Sequence, residues 1–236
     1  MKKFLSLLLM ITSLWACKDG STTTTEATQT TIEEVPNNQD MDPVTRTASN
    51  IAKAHGIDNW KDVKEIKFTW NVDRGERHFE RLWTWWPKDD IVEVSTEEGT
   101  FRYLRTEVNE VHQTADPEFI NDSFWLLAPF HLIWDDGITL RESKNKVAPI
   151  SGDTLPMLTL TYGEVGGYTP GDAYDFYYGS DYLIKEWVFR QGNDSVPTMA
   201  TTWEDYTDVG GLMIGTTHTD STQSFKIHFS DISVKK

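Results

Sequence analysis

The chain has 236 residues, and its 37 acidic and 22 basic side chains leave a formal charge of −15. Such a surface repels phosphate, which excludes nucleic acid held by counterion release at clustered lysine and arginine, and excludes recruitment to anionic headgroups by a polybasic face. A single cysteine has no partner for an intramolecular disulfide and offers no thiolate metal set, so packing alone must hold the core.

The first 16 residues read as a lipoprotein signal peptide. Lys2 and Lys3 supply its charged region, Phe4 to Ile11 its apolar region, and Leu14-Trp15-Ala16-Cys17 stands where a lipobox places the acylated thiol. Trp15 is bulkier than the residue usual there, and an ordinary secretory signal that leaves Cys17 in a tail is the alternative. Acyl chains on Cys17 contribute roughly 0.8 kcal/mol per buried methylene, together enough for a stable anchor. Residues 17–42, with four consecutive threonines (Thr22 to Thr25), scattered acids and Pro36, have almost nothing to bury. They are expected as a disordered tether with a reach of roughly 25–30 Å. Residues 43–236 suit one domain, and after the leader no apolar run approaches the roughly 20 residues that span a bilayer.

Within that domain Pro43, Val44, Ala48, Ile51, Ala52 and Ala54 predict an amphipathic helix closing at His55-Gly56. Strands follow. Ile66, Phe68, Trp70 and Val72 alternate with polar residues; Phe79, Arg81, Trp83 and Trp85 then share a face opposite His78, Glu80, Leu82, Thr84 and Trp86. Short turns lead to strands over 91–95 and 101–106, so the pairing is antiparallel. From Asp116-Pro117 the pattern changes to a helix running through Phe119, Phe124, Trp125, Phe130 and His131 to Trp134, too short to span a membrane and too apolar for a free loop. After an irregular stretch, strands resume over 157–162, 174–178, 183–190, 198–206, 212–218 and 225–232. The expected fold is mainly β with some α: a single curled antiparallel sheet or incomplete barrel of about ten to eleven strands, covered by two short helices.

The string Phe124-Trp125-Leu126-Leu127-Ala128-Pro129-Phe130-His131-Leu132, with Trp134-Asp135, His55-Gly56, Phe79-Glu80-Arg81, Tyr168-Thr169-Pro170-Gly171-Asp172 and Trp187-Val188-Phe189-Arg190, resembles a lipoprotein family of Bacteroidota. That family looks like the LolA and LolB lipoprotein-carrier fold. The resemblance covers nearly all of the domain and implies an open barrel with helices as a lid over an apolar cavity that holds acyl chains. It carries no catalytic residue, because fold alone does not transfer activity.

Chemistry-bearing residues are few. His55, His78, His112, His131, His218 and His228 show no close ligand spacing, so no metal is expected. His131 near Asp135 reads as a hydrogen-bonded anchor for the lid. Asp172, Asp175 and Asp181 show only part of a calcium pattern, and Glu80, Glu186 and Glu204 have no spacing that makes a glycosidase pair. There is no nucleophile elbow, P-loop or dinucleotide fingerprint, and the chain is read as no enzyme, without cofactor.

The aromatics carry the functional expectation. Trp70, Phe79, Arg81, Trp83, Trp85, Phe124, Trp125, Phe130, His131, Trp134, Trp187 and Phe189 are the candidate cavity residues, with Arg81 set either for a salt bridge to a core carboxylate or for a ligand's acidic head. The reading is an outer-membrane lipoprotein of the cell envelope, anchored by lipid on Cys17. It binds a lipophilic small molecule, an acyl chain or an acylated envelope partner, with the 117–134 helix moving as the lid. The second reading is a surface glycan-binding or envelope-assembly module whose exposed tryptophans stack on sugars.

Overall fold

The computed structural model describes residues 41–96, 99–108, 114–165 and 168–236. The leader, Cys17, the tether up to residue 40 and His112 lie outside them. Among the described residues no helix is long and apolar enough to cross a membrane.

Helix α1 (Pro43–Ala54) begins as its sequence dictates. Asp42 accepts hydrogen bonds from the amides of Val44 and Thr45 at 3.0 and 3.1 Å, and Pro43 occupies the first turn, where its missing N–H costs nothing. The helix stops at Gly56, whose φ of 89° and approach to the Gly211 carbonyl leave no room for a Cβ, which would stand 2.0 Å from that oxygen.

Four strands follow: β1 (Glu65–Arg74), β2 (Arg77–Trp86), β3 (Ile91–Thr96) and β4 (Gly99–Leu104). Alternation sets their register. Ile66 pairs with Trp85, Phe68 with Trp83, Trp70 with Arg81 and Val72 with Phe79, so one face of this sheet is aromatic and the other polar. Phe79 departs from its expected burial. It belongs to the inner face but lies at the open end of the strand and is 53% exposed.

Helix α2 (Ala115–Trp134) comes next, then β5 (Ile138–Val147), β6 (Thr154–Tyr162), β7 (Ala173–Tyr178), β8 (Ile184–Arg190), β9 (Met199–Thr202), β10 (Glu204–Val209), β11 (Leu212–Thr219) and β12 (Phe225–Lys235). The alternation predicts one curled sheet, but hydrogen bonding divides it into two, a seven-stranded sheet in the order β10-β11-β12-β1-β2-β3-β4 and a five-stranded sheet β5-β6-β7-β8-β9. The division falls at Trp203. Its amide donates to the Lys185 carbonyl at 2.8 Å and completes the pairing with β8, while from Glu204 onward the partner is β11. The predicted strand over 198–206 therefore serves both sheets, one half each. Thr202 bridges the seam, its hydroxyl accepting from the Thr219 amide at 3.1 Å and its carbonyl meeting His218 Nδ1 at 3.3 Å. The surface stays open, and the architecture is mainly β with two helices.

Helix α2 packs against the sheets with much of its length buried. Phe119, Phe124, Trp125, Leu126, Leu127, Ala128, Phe130 and Leu132 are all buried, so it is apolar nearly all round, as a helix inside a core must be. Pro129 removes an amide donor and crowds the preceding turn, and the helix kinks at Leu127 (φ −125°, ψ 18°).

Candidate functional site

Asp122 fixes where α2 sits. Its carboxylate, fully buried, accepts from Arg81 Nε and Nη2 at 2.8 and 2.9 Å, from Trp83 Nε1 at 2.8 Å and from Asn121 Nδ2 at 3.0 Å. Burial pushes the Asp122 pKa up, against the downward pull of those donors. Arg81 also lies 3.3 Å from Glu118 and stacks 4.5 Å over Trp70. The fork of Arg81 is therefore filled from within the protein, and this corner ties β2 to α2.

The other candidate residues fall around three separate spaces. The first, about 260 Å³, lies between α2 and the inner faces of both sheets. Phe124 and Trp125 line it from the helix, Trp70 and Val72 from β1, Tyr174, Trp187, Phe189 and Met199 from β7 to β9, and Phe225 and Ile227 from β12. Its polar lining is Arg74, Asn121 and Thr169. The second, about 300 Å³, takes Trp85, His131 and Trp134 with Phe119, Leu127, Arg105 and Asp135. The third, about 640 Å³, takes Phe79 and Arg81 among charged neighbours that include His78, Glu80 and Glu118. Trp83 and Phe130 line none of these and are packed in the core. One continuous cavity is expected from the sequence; the structure has partitions. Tyr168 lines both the first and second spaces and stacks flat on Phe124, with ring centroids 4.0 Å apart and planes 2° apart. The Trp70–Arg81 contact stands between the first and third.

Solved structures similar to this chain include a DUF1329 family protein from Desulfovibrio piger, at 11% identity and a TM-score of 0.45, covering 83% of this chain and 94% of that one. A LolA superfamily protein from Nitrosomonas europaea shows 11% identity and a TM-score of 0.49 over 80% and 94%. A domain named for outer membrane lipoprotein sorting, from Vibrio parahaemolyticus, shows 9% identity and a TM-score of 0.47 over 85% and 94%. Neither a protein-family profile nor a curated protein matches the chain.

The first space has the most distinctive chemistry. Trp70 and Trp187 are buried along it, and neither indole N–H has a hydrogen-bond acceptor. Arg74, exposed and 5.1 Å over the Phe225 ring, makes no ion pair among the described residues. In the second space His131 Nδ1 sits 2.9 Å from both oxygens of Asp135, which also accepts from the Tyr162 hydroxyl. Burial pushes the Asp135 pKa up, but the hydrogen bonds from His131 and Tyr162 outweigh it and leave the carboxyl below its ordinary range. This pair anchors the C-terminal end of α2 to β6.

Val72, Tyr174, Met199, Phe225 and Ile227 join the first space beyond the candidates read from the sequence, and strand alternation places Val72 and Ile227 inward. Periodicity gives no signal for Tyr168 or Arg74, since one sits in a loop and the other ends a strand. The acids weighed for calcium are held by protein donors: Asp175 by Arg190 and Thr159, Asp172 by the Gly192 amide, Asp181 by Lys185 and the Leu183 amide.

Proposed function

We propose that this chain is a cell-envelope lipoprotein, tethered through Cys17, that holds an acyl chain or a similar lipophile bearing an acceptor oxygen in the cleft between α2 and the inner sheet faces. The observation that carries the reading is the lining of the first space, aromatic and aliphatic except for a few polar groups, with two buried indole donors left without acceptors. A buried donor without a partner costs about 1–3 kcal/mol. An ester carbonyl or carboxylate near Trp70 and Trp187 removes that cost, and Arg74 is free to meet a negative head. Each square ångström of apolar ligand surface buried adds about 25 cal/mol.

The lid mechanism is replaced. With Asp122 forked by Arg81 and most of α2 in the core, the helix is a fixed wall. The space of about 260 Å³ is slightly smaller than ordinary ligand clefts, which start at about 300 Å³. It therefore takes a segment of chain, and further room comes from the second space behind Tyr168. The glycan reading needs exposed stacking tryptophans, and no described tryptophan is exposed.

Two experiments test this. Displacement of a fluorescent fatty-acid probe from the purified Cys17→Ser chain measures binding. Met199→Trp, which fills the cleft, weakens it at least about tenfold, equivalent to about 1.4 kcal/mol. No probe binding by the unaltered cleft ends the lipophile reading. Separately, Cys17→Ser moves the protein from the membrane fraction to the soluble one; retention in the membrane ends the anchor reading.

A further inference from the structure

The face of the seven-stranded sheet that points away from the cleft holds a second cluster. Val72, Phe79 and Ile227 point inward, so their neighbours Asp73, His78 and His228 point outward, from the adjacent strands β1, β2 and β12. Asp73 faces His78 directly in the ladder, and His228 lies one diagonal step away. His78 Nδ1 is 2.8 Å from Asp73 Oδ1, His228 Nε2 is 3.2 Å from Asp73 Oδ2, and one donor atom from each residue lies within 4.8 Å of the others. Tetrahedral zinc with bonds of about 2.0–2.1 Å places neighbouring ligand atoms about 3.3 Å apart. The cluster is close to that spacing already. Glu80 Oε2 stands 3.5 Å from the other ring nitrogen of His78, the position of the outer carboxylate that fixes a histidine's tautomer and leaves its facing nitrogen free to ligate.

We propose that Asp73, His78 and His228 form a site for one divalent transition-metal ion of the zinc class, oriented by Glu80 and open to solvent at its fourth position. Sequence spacing does not reveal it, because positions 73, 78 and 228 are brought together only by strand pairing. The donor set of two imidazoles and one carboxylate selects zinc over magnesium, which takes an oxygen shell. Around the cluster the charged groups are Asp73, Glu80 and Lys226. The hydrogen bond to Asp73 raises the His78 pKa, with Glu80 adding to it, whereas burial and then Lys226 lower that of His228.

Equilibrium dialysis of the metal-stripped full chain against zinc chloride, with magnesium chloride as comparison, tests the site. One zinc per chain is expected. His78→Ala and His228→Ala each weaken it by thirtyfold or more, and Glu80→Gln weakens it about tenfold. Lys226→Met, which removes the nearby cation and leaves every ligand, tightens it; if a histidine variant fails to fold, that gain is decisive. No zinc uptake by the unaltered chain, magnesium uptake equal to zinc, uptake indifferent to both histidine variants, or no gain with Lys226→Met overturns the proposal.

Discussion

Trp83 and Trp187 face the same helix from different sheets and are almost equally buried, at 0% and 2% exposure. Trp83 packs on Phe119 and donates its indole N–H to Asp122 at 2.8 Å. Trp187 packs on Trp125, with ring centroids 4.3 Å apart, and donates to nothing. Around Asp122, then, the polar groups of α2 and β2 satisfy one another; along the first space the indole N–H groups of Trp70 and Trp187 are left for something else. A completed buried network fixes geometry, and an incomplete one beside empty space marks where a ligand or water belongs. The largest effect comes from breaking the completed end. Asp122→Ala leaves Arg81 charged and buried with only the more exposed Glu118 at 3.3 Å, and stability to urea falls by about 3 kcal/mol. The double change Arg81→Met with Asp122→Leu restores only part of that loss, because two apolar groups need no fork but the Trp83 indole N–H loses its acceptor.

The same truncation made at both ends sharpens the contrast. Trp83→Phe and Trp187→Phe remove similar ring area, but only the first deletes a hydrogen bond to a charged group, which contributes about 1.5–3 kcal/mol. Urea midpoints of the two variants should differ by that amount, with Trp83→Phe the less stable. Fatty-acid probe binding should fall for Trp187→Phe alone. Equal losses of stability would mean that the two indole groups are equivalent after all.

Acid acts on the cleft side as well. His218 is fully buried against Trp125 and Trp203, and burial lowers its pKa to about 3. The unfolded chain takes up this proton near the ordinary histidine value of about 6.5 and the folded chain does not, so stability present at pH 7 is lost as pH falls below about 6.5. The loss runs at about 1.4 kcal/mol per pH unit, or about 2 kcal/mol by pH 5. His55, lowered by burial to about 4, acts in the same direction. A His218→Leu variant should show a shallower decline between pH 6.5 and 5 by urea titration.

What could be read from the chain was periodic. The alternation of Ile66, Phe68, Trp70 and Val72, the run of Phe119 to Trp134 and the stop at His55-Gly56 are local patterns, and each produced its element. Strand β5 was missed because Ile138–Val147 is an edge strand whose Arg141, Glu142, Lys144 and Lys146 hide its period, the charges that keep such an edge from pairing with another chain. The bend at Trp203 was missed because it depends on which strands lie alongside, and no local pattern records that. The site divided the same way. Its apolar wall was legible from strand faces, but the pairing of Arg81 with Asp122 joins residues 41 apart, and the partition by Tyr168 is made by a loop.

Tyr168 offers the gentlest test of the comparison, since it touches the incomplete end without disturbing the complete one. Its ring is half-buried and stacked on Phe124, and its hydroxyl reaches Asn121 Oδ1 only at 3.4 Å. Tyr168→Ala therefore costs little, about 0.5–1.5 kcal/mol for the lost stacking, and Asp122 keeps all its donors. Removing the ring joins the first and second spaces, which are of similar size, so the continuous room for a chain roughly doubles. Competition with a series of saturated fatty acids should then shift toward longer chains in the variant, while short-chain affinity stays level or weakens for want of contacts. An unchanged length preference would mean that the ligand never passes Tyr168, confining it to the space beside Trp70 and Trp187.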